Sequence, residues 1–238
     1  MGYRVIAVDT AGHGGTWGLP GGVGDLSDYA ELLRRVLDHL GIKRAVLAGH
    51  SMGGRLIVEV AAAEPERAIA LLLLDAIVGD DWDRIQVWSR WFPPVLGVIG
   101  ATLMVDSAST VPLFRDPRQA AKLLRLALPT VGGHLRRPWR LLGPAVSILR
   151  SAPSHDLLED VAGHGVSVFV LHGDRDLAVP LATAKSTAGL ANGQLVVIHG
   201  ASHSWLLKDP ETLPAIVYDL LGDGLGTAQR RALLHAGL

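Results

Sequence analysis

The sequence predicts an α/β fold, a mostly parallel sheet flanked by helices, with a helical cap inserted between two halves of the core. Three observations predict it. Short apolar, β-branched runs alternate with stretches whose apolar residues recur at helical spacing. One of those runs passes directly into a glycine-rich turn and then into a helix-forming stretch. Between residues 79 and 160 the alternation stops, in a segment that holds four of the six tryptophans and several prolines. Alternation of strand and helix implies right-handed crossovers and a sheet covered on both faces, with the chemically active loops at the carboxyl ends of the strands. The chain then divides into core over 1-78, cap over 79-160 and core again over 161-238.

Each element has its own signal. Tyr3 to Asp9 is a β-branched run entering the loop TAGHGGTWGLPGG and reads as a first strand. Leu32, Leu33, Val36, Leu37 and Leu40 repeat at helical spacing; Ser27 can cap that helix and Gly41 stops it. Ala45 to Ala48 is a second strand, followed by GHSMGG and by Leu56 to Ala63, whose alanines favour a helix. Ile69 to Leu74, Val166 to Leu171 and Gln194 to Ile198 read as further strands, and the tail from Gly222 as a peripheral or frayed helix.

Composition excludes several classes of function. Lys and Arg number 22 against 23 Asp and Glu, so no strong positive field invites nucleic acid or an anionic membrane surface. A small, roughly neutral partner fits better. With no cysteine there is no disulfide, no thiolate nucleophile and no sulfur-ligated metal. MGYRVIAVD shows no charged leader followed by a long apolar stretch, so a cytoplasmic protein is expected. PPVLGVIGATLMV, from Pro93 to Val105, is too short to span a bilayer and carries two prolines and two glycines.

Gly49-His50-Ser51-Met52-Gly53 is a G-x-S-x-G pentapeptide placed between an apolar strand and a helix, the setting a nucleophile elbow needs. Such a turn is sharp, which asks for small residues at Gly49 and Gly53 where backbone comes close. It would hold Ser51 at the top of the sheet, near the positive end of the following helix, with the backbone N–H of Met52 facing a developing oxyanion. A serine hydroxyl needs a base, and the base a carboxylate to orient it. VFVLHGDRDLAVP offers Asp174 and Asp176; VIHGASHSWLLKDP offers His199 and His203. No group has metal-ligand spacing, so neither metal nor cofactor is expected.

GHSMGG, LHGDRDLAVP, HGASHSWLLKDPE and the early DTAGHG resemble the α/β-hydrolase superfamily in its esterase and lipase-like branch, over nearly the whole chain outside the cap. The resemblance implies an α/β-hydrolase fold with Ser51 as nucleophile, Asp176 as acid and His203 as base. Asp174, and Asp75 at the end of the LLLLD strand, stand as alternative acids. His50 and the cap's Trp82, Trp88, Trp91 and Trp139 are candidate pocket residues. The implied activity is hydrolysis of a small, apolar ester or acyl compound, with no nucleic-acid partner; serine at the elbow counts against dehalogenase and epoxide hydrolase chemistry. Thioester, lactone, amide and C–C substrates and perhydrolysis stay open.

The resemblance also implies a departure. Members of the superfamily begin with about three further strands, and the loop after the third donates a second oxyanion N–H. This chain opens at what resembles their fourth strand, and His13-Gly14-Gly15 matches a later loop, so no oxyanion donor is assigned to it. The third strand would lie between Tyr3–Asp9 and Ala45–Ala48, so direct pairing of those two, or an incomplete chain, is expected. A ligand- or partner-binding protein with weak catalysis is the alternative reading.

Overall fold

A computed structural model describes residues 3–16, 18–19, 24–92, 94–109, 117–136 and 142–235. In chain order the elements are α1 (Leu26–His39), β1 (Ala45–His50), α2 (Met52–Ala63), β2 (Ala68–Leu74), α3 (Asp80–Trp91), α4 (Pro94–Ser109), α5 (Pro117–Arg136), α6 (Leu142–Arg150), α7 (His155–Gly163), β3 (Ser167–Gly173), α8 (Leu181–Leu190), β4 (Gln194–Ile198), α9 (Trp205–Lys208), α10 (Thr212–Gly222) and α11 (Gly224–His235). The four strands form one sheet in the order β1-β2-β3-β4, and every pair is parallel.

Side chains alternate across the sheet, and each face has its own cover. Leu71 and Leu73 of β2 and Val168 and Val170 of β3 pack against Ala30 and Leu37 of α1, Val58 and Val60 of α2, Leu158 and Val161 of α7 and Ala184 of α8. Their neighbours Ala70, Leu72 and Leu74 of β2 and Phe169 and Leu171 of β3 face Leu220 of α10 and Leu225 and Ala228 of α11. Burying one such Leu or Val stabilises the fold by roughly 1.5–3 kcal/mol, and double cover explains why these strands read as continuous apolar runs.

Three expectations change. Tyr3–Asp9 forms no strand, and β1 is an edge of the sheet, so the direct pairing expected between them is not made. Val5 is 86% exposed, and Tyr3, Ile6 and Val8 are also exposed, so the segment lacks the apolar burial that would offset the entropy of ordering a strand. The tail is a cover for the second sheet face, with Leu225 fully buried, because its apolar residues fall on the side that meets β2 and β3. Helix α1 is capped by Asp25, which accepts from the N–H groups of Ser27 and Asp28, while Asp28 reaches back to the Asp25 N–H. Ser27 donates its hydroxyl to Asp25 instead of capping. Gly41, at φ +66°, follows the end of α1 as expected.

Candidate active site

Strand β1 ends at His50 and α2 starts at Met52, leaving Ser51 alone in the turn at φ 53° and ψ −117°. That conformation costs on the order of 1–3 kcal/mol and is held by its surroundings. The Ser51 N–H donates to the Leu74 carbonyl at 2.8 Å, and the Ser51 carbonyl accepts from Gly54 at 3.0 Å and Ile77 at 3.3 Å. The hydroxyl makes no capping bond to α2. A Cβ on Gly49 would stand 2.2 Å from the Gly53 carbonyl oxygen, and one on Gly54 would stand 2.4 Å from the Ala76 Cβ. A Cβ on Gly53 would meet nothing within 4 Å, so the close approach expected at Gly49 and Gly53 falls at Gly49 and Gly54.

The loop after β3 carries Asp176, and the loop after β4 carries His203; both are buried. Asp176 Oδ1 accepts from the N–H groups of Ala178 and Val179, each at 2.8 Å, which fixes the carboxylate. Its Oδ2 accepts from His203 Nδ1 at 2.6 Å, leaving Nε2 as the basic nitrogen. Burial works to lower the proton affinity of His203. The hydrogen bond to Asp176, then the charge of that carboxylate, act the other way, and the imidazole stays above the ordinary histidine value. The elbow meets the base loop through His50, whose Nε2–H donates to the His203 carbonyl at 2.9 Å with ring centroids 4.6 Å apart. Burial, then the charge on His203, pushes His50 down to about 4, so it is neutral in this contact.

The alternative acids take other places. Asp174 accepts from His199 Nδ1 at 3.0 Å and from the Gly200 N–H at 2.7 Å, bracing the two loops at the surface. Asp75 is fully buried at φ 44° and accepts from the Gly173 N–H at 2.9 Å and from the Trp205 indole N–H. Desolvation pushes its carboxyl up to about 7, against the pull of those two donors. Its neighbour His172 was not singled out by the sequence, where it reads as the end of an apolar run. The fold places ligand-capable atoms of Asp75, His172 and Asp176 within 4.8 Å of one another, a proximity that sequence spacing does not display.

The four tryptophans of residues 79-160 differ in placement. Trp82 is buried with Ile77 and Val179, in a cluster against which Met52, Ile85, Ile99 and Ile148 pack. Trp88 is exposed and lines a shallow cavity of about 410 Å³ with Asp81, Arg84, Ile85, Val95, Pro180 and Ala182. Trp91 is 84% exposed, and Trp139 lies outside the described residues. The Gly15 N–H donates to Asp9 Oδ2, so that donor of the His13-Gly14-Gly15 stretch is already engaged. Helix α4 supplies a residue that sequence reasoning missed: Asp106 accepts from the backbone N–H of Ser204, next to His203, at 2.7 Å. No sequence spacing links those two positions.

A family model described as alpha/beta hydrolase family matches residues 1–215. A protein of Mycobacterium phage D29 named as a non-heme haloperoxidase is 36% identical over 216 residues, 88% of this chain and 74% of the relative. A non-heme chloroperoxidase of Streptomyces lividans is 31% identical over 233 residues, 89% of this chain and 79% of the relative. Among solved structures, a thermophilic esterase from Thermogutta terrifontis superposes with a TM-score of 0.65 at 24% identity, covering 89% of this chain and 77% of that one.

Proposed function

The chain belongs to the alpha/beta hydrolase family, and we propose that within it the protein is a serine hydrolase of a small, apolar carboxylic ester or related acyl compound. Ser51 Oγ attacks the acyl carbon as its proton passes to His203 Nε2, while Asp176 keeps the imidazole in the required tautomer and stabilises its charge. The oxyanion that forms meets the Met52 N–H at the positive end of α2. Collapse expels the alcohol with the proton from His203. Water, activated by the same base, then releases the acid and restores Ser51. These steps use only groups of this chain.

The observation that carries this reading is the buried His203–Asp176 hydrogen bond of 2.6 Å, on loops that meet the elbow through His50. Substrate class is supported by the apolar cluster of Ile77, Trp82 and Val179, which packs on Met52 next to the oxyanion position. Two of its packing partners, Ile85 and Ile99, come from α3 and α4, so residues 79-160 are read as a cap over the acyl group. No helix among the described residues is long and apolar enough to cross a membrane. The haloperoxidase names of two relatives favour one variant of the second step: hydrogen peroxide in place of water would release a peracid from the same acyl-serine.

Hydrolysis of p-nitrophenyl esters from acetate to octanoate tests the reading. The chain is expected to turn them over and Ser51→Ala to lose all measurable activity; equal rates from the two proteins would refute it.

A further inference from the structure

Asp75 is a second carboxyl beside the His203–Asp176 pair, fully buried, and the proposed reaction assigns it no step. Three polar groups converge on it. The Gly173 N–H donates to Oδ1 at 2.9 Å and the Trp205 indole N–H donates to Oδ2. His172 Nδ1 lies 3.6 Å from Oδ1 and has no hydrogen-bond partner, while its Nε2–H donates to the Val179 carbonyl at 2.8 Å. With Nε2 carrying the ring proton, Nδ1 of a neutral His172 is a lone pair in search of a donor.

A carboxylate satisfies the two donors but turns another lone pair toward His172 Nδ1, leaving a buried acceptor unpaired. A carboxylic acid can satisfy all three, since a protonated Oδ1 donates to Nδ1 once the 3.6 Å separation closes to hydrogen-bond length and still accepts from Gly173. We propose that Asp75 is a positioning residue of the catalytic apparatus that works as an un-ionised acid, hydrogen-bonded to His172, Gly173 and Trp205. The inference rests on the hydrolase reading. It has two consequences. The acid ties the end of β2 to the end of β3 and to Trp205, two residues beyond His203, and so braces the base loop from behind. It also places no charge at Asp75 near His203, whose hydrogen-bonded carboxylate is Asp176.

Among the described residues, four titratable groups face Asp75: His50 of β1, with Nε2 at 3.9 Å from Oδ2, His172 of β3, Asp176 of the acid loop and His203 of the base loop; α9 meets it through the non-titrating Trp205 indole. Burial, the largest influence, and the Asp176 charge favour the protonated form; the His203 charge opposes it. Burial also lowers the proton affinity of His172, against an imidazolium at the same place. The folded chain holds the Asp75 proton to about pH 7, whereas an unfolded chain releases it near the ordinary carboxylate value. This group's contribution to stability is therefore complete below that ordinary value and is lost as the pH rises through about 7.

Infrared spectroscopy of protein labelled with ¹³C-aspartate, together with ¹⁵N NMR of the histidines, tests the proposal at pH 6. The expected result is a protonated side-chain carboxyl band that disappears in Asp75→Asn, and a neutral His172 ring with Nδ1 as acceptor. In Asp75→Asn, which keeps a donor for His172 and an acceptor for Trp205 but loses the acceptor for Gly173, the acid limb of the kcat/KM profile stays in place and activity falls by less than about tenfold; Asp75→Leu, which loses all three, falls further. An imidazolium signal from His172 without the carboxyl band would overturn the proposal. So would an acid limb moved about one unit toward lower pH in Asp75→Asn, since that follows from removing a real charge beside His203. Should Asp75→Asn fail to fold, the His172 resonance of the unaltered protein, assigned through its backbone, decides. Both spectra need no turnover, so failure of the hydrolase reading is distinguishable from failure of this one.

Discussion

The loops after β3 and β4 and the first residues of the chain carry similarly apolar or motif-like sequence, yet they are held in different ways. Around β3 and β4 both carboxylates of the acid loop have fixed partners: Asp176 takes two backbone N–H groups and His203, and Asp174 takes His199 and Gly200. Leu171 and Val170 beneath them are buried on opposite faces of the sheet. Residues 3–9 have no such base. Their link to the rest of the fold includes one hydrogen bond, from the Tyr3 hydroxyl to Gln229, and Val5, Ile6 and Val8 are exposed. Apolar, β-branched composition gives a strand where both faces find cover and leaves an extended segment where they do not. The proposed acid–base pair thus rests on its own two loops, while Ser51 follows β1, an edge of the sheet.

This contrast can be broken in order of expected effect. Asp176→Asn keeps the shape of the acid loop but removes the carboxylate that selects the His203 tautomer; kcat is expected to fall by about 10³- to 10⁴-fold with the folded spectrum unchanged, as steady-state kinetics and circular dichroism would show. A drop of only a few-fold would mean that another group orients the base. A stability pair sharpens the comparison further. Leu171→Ala should cost about 2–5 kcal/mol by chemical denaturation, and Val5→Ser should stay within about 0.5 kcal/mol. Similar losses at both sites would show that residues 3–9 pack on the core after all.

The elements that were legible are those whose own sequence carries their environment. β2 reads as a strand because its leucines are buried on both faces, and β4 runs from Gln194 to Ile198 as its apolar run implies. The Ser51 turn is legible in a short local motif, whereas the Asp176–His203 contact is implied by the family resemblance, since the loops by themselves leave Asp174 and His199 open. What stayed hidden depends on partners distant in sequence. Tyr3–Asp9 has strand composition but no neighbour to complete it, and Gly54 is required by Ala76, which nothing local to the elbow reveals. The contacts of Asp75 with His172 and Trp205, and of Asp106 with Ser204, join residues about a hundred positions apart. Trp82, chosen for its composition, packs inside a cluster, while Trp91 points outward, because composition does not say which side of a cap helix faces the core.

The central claim is that Ser51 is a nucleophile activated by His203. Intact-mass and peptide mass spectrometry after treatment with a fluorophosphonate tests it most directly, since covalent capture needs the activated serine and no knowledge of the substrate. The account predicts one adduct per chain, on Ser51, formed rapidly at neutral pH and slowed by orders of magnitude in His203→Ala. An unmodified Ser51 in folded protein, or equal labelling of Ser51 with and without His203, would contradict it.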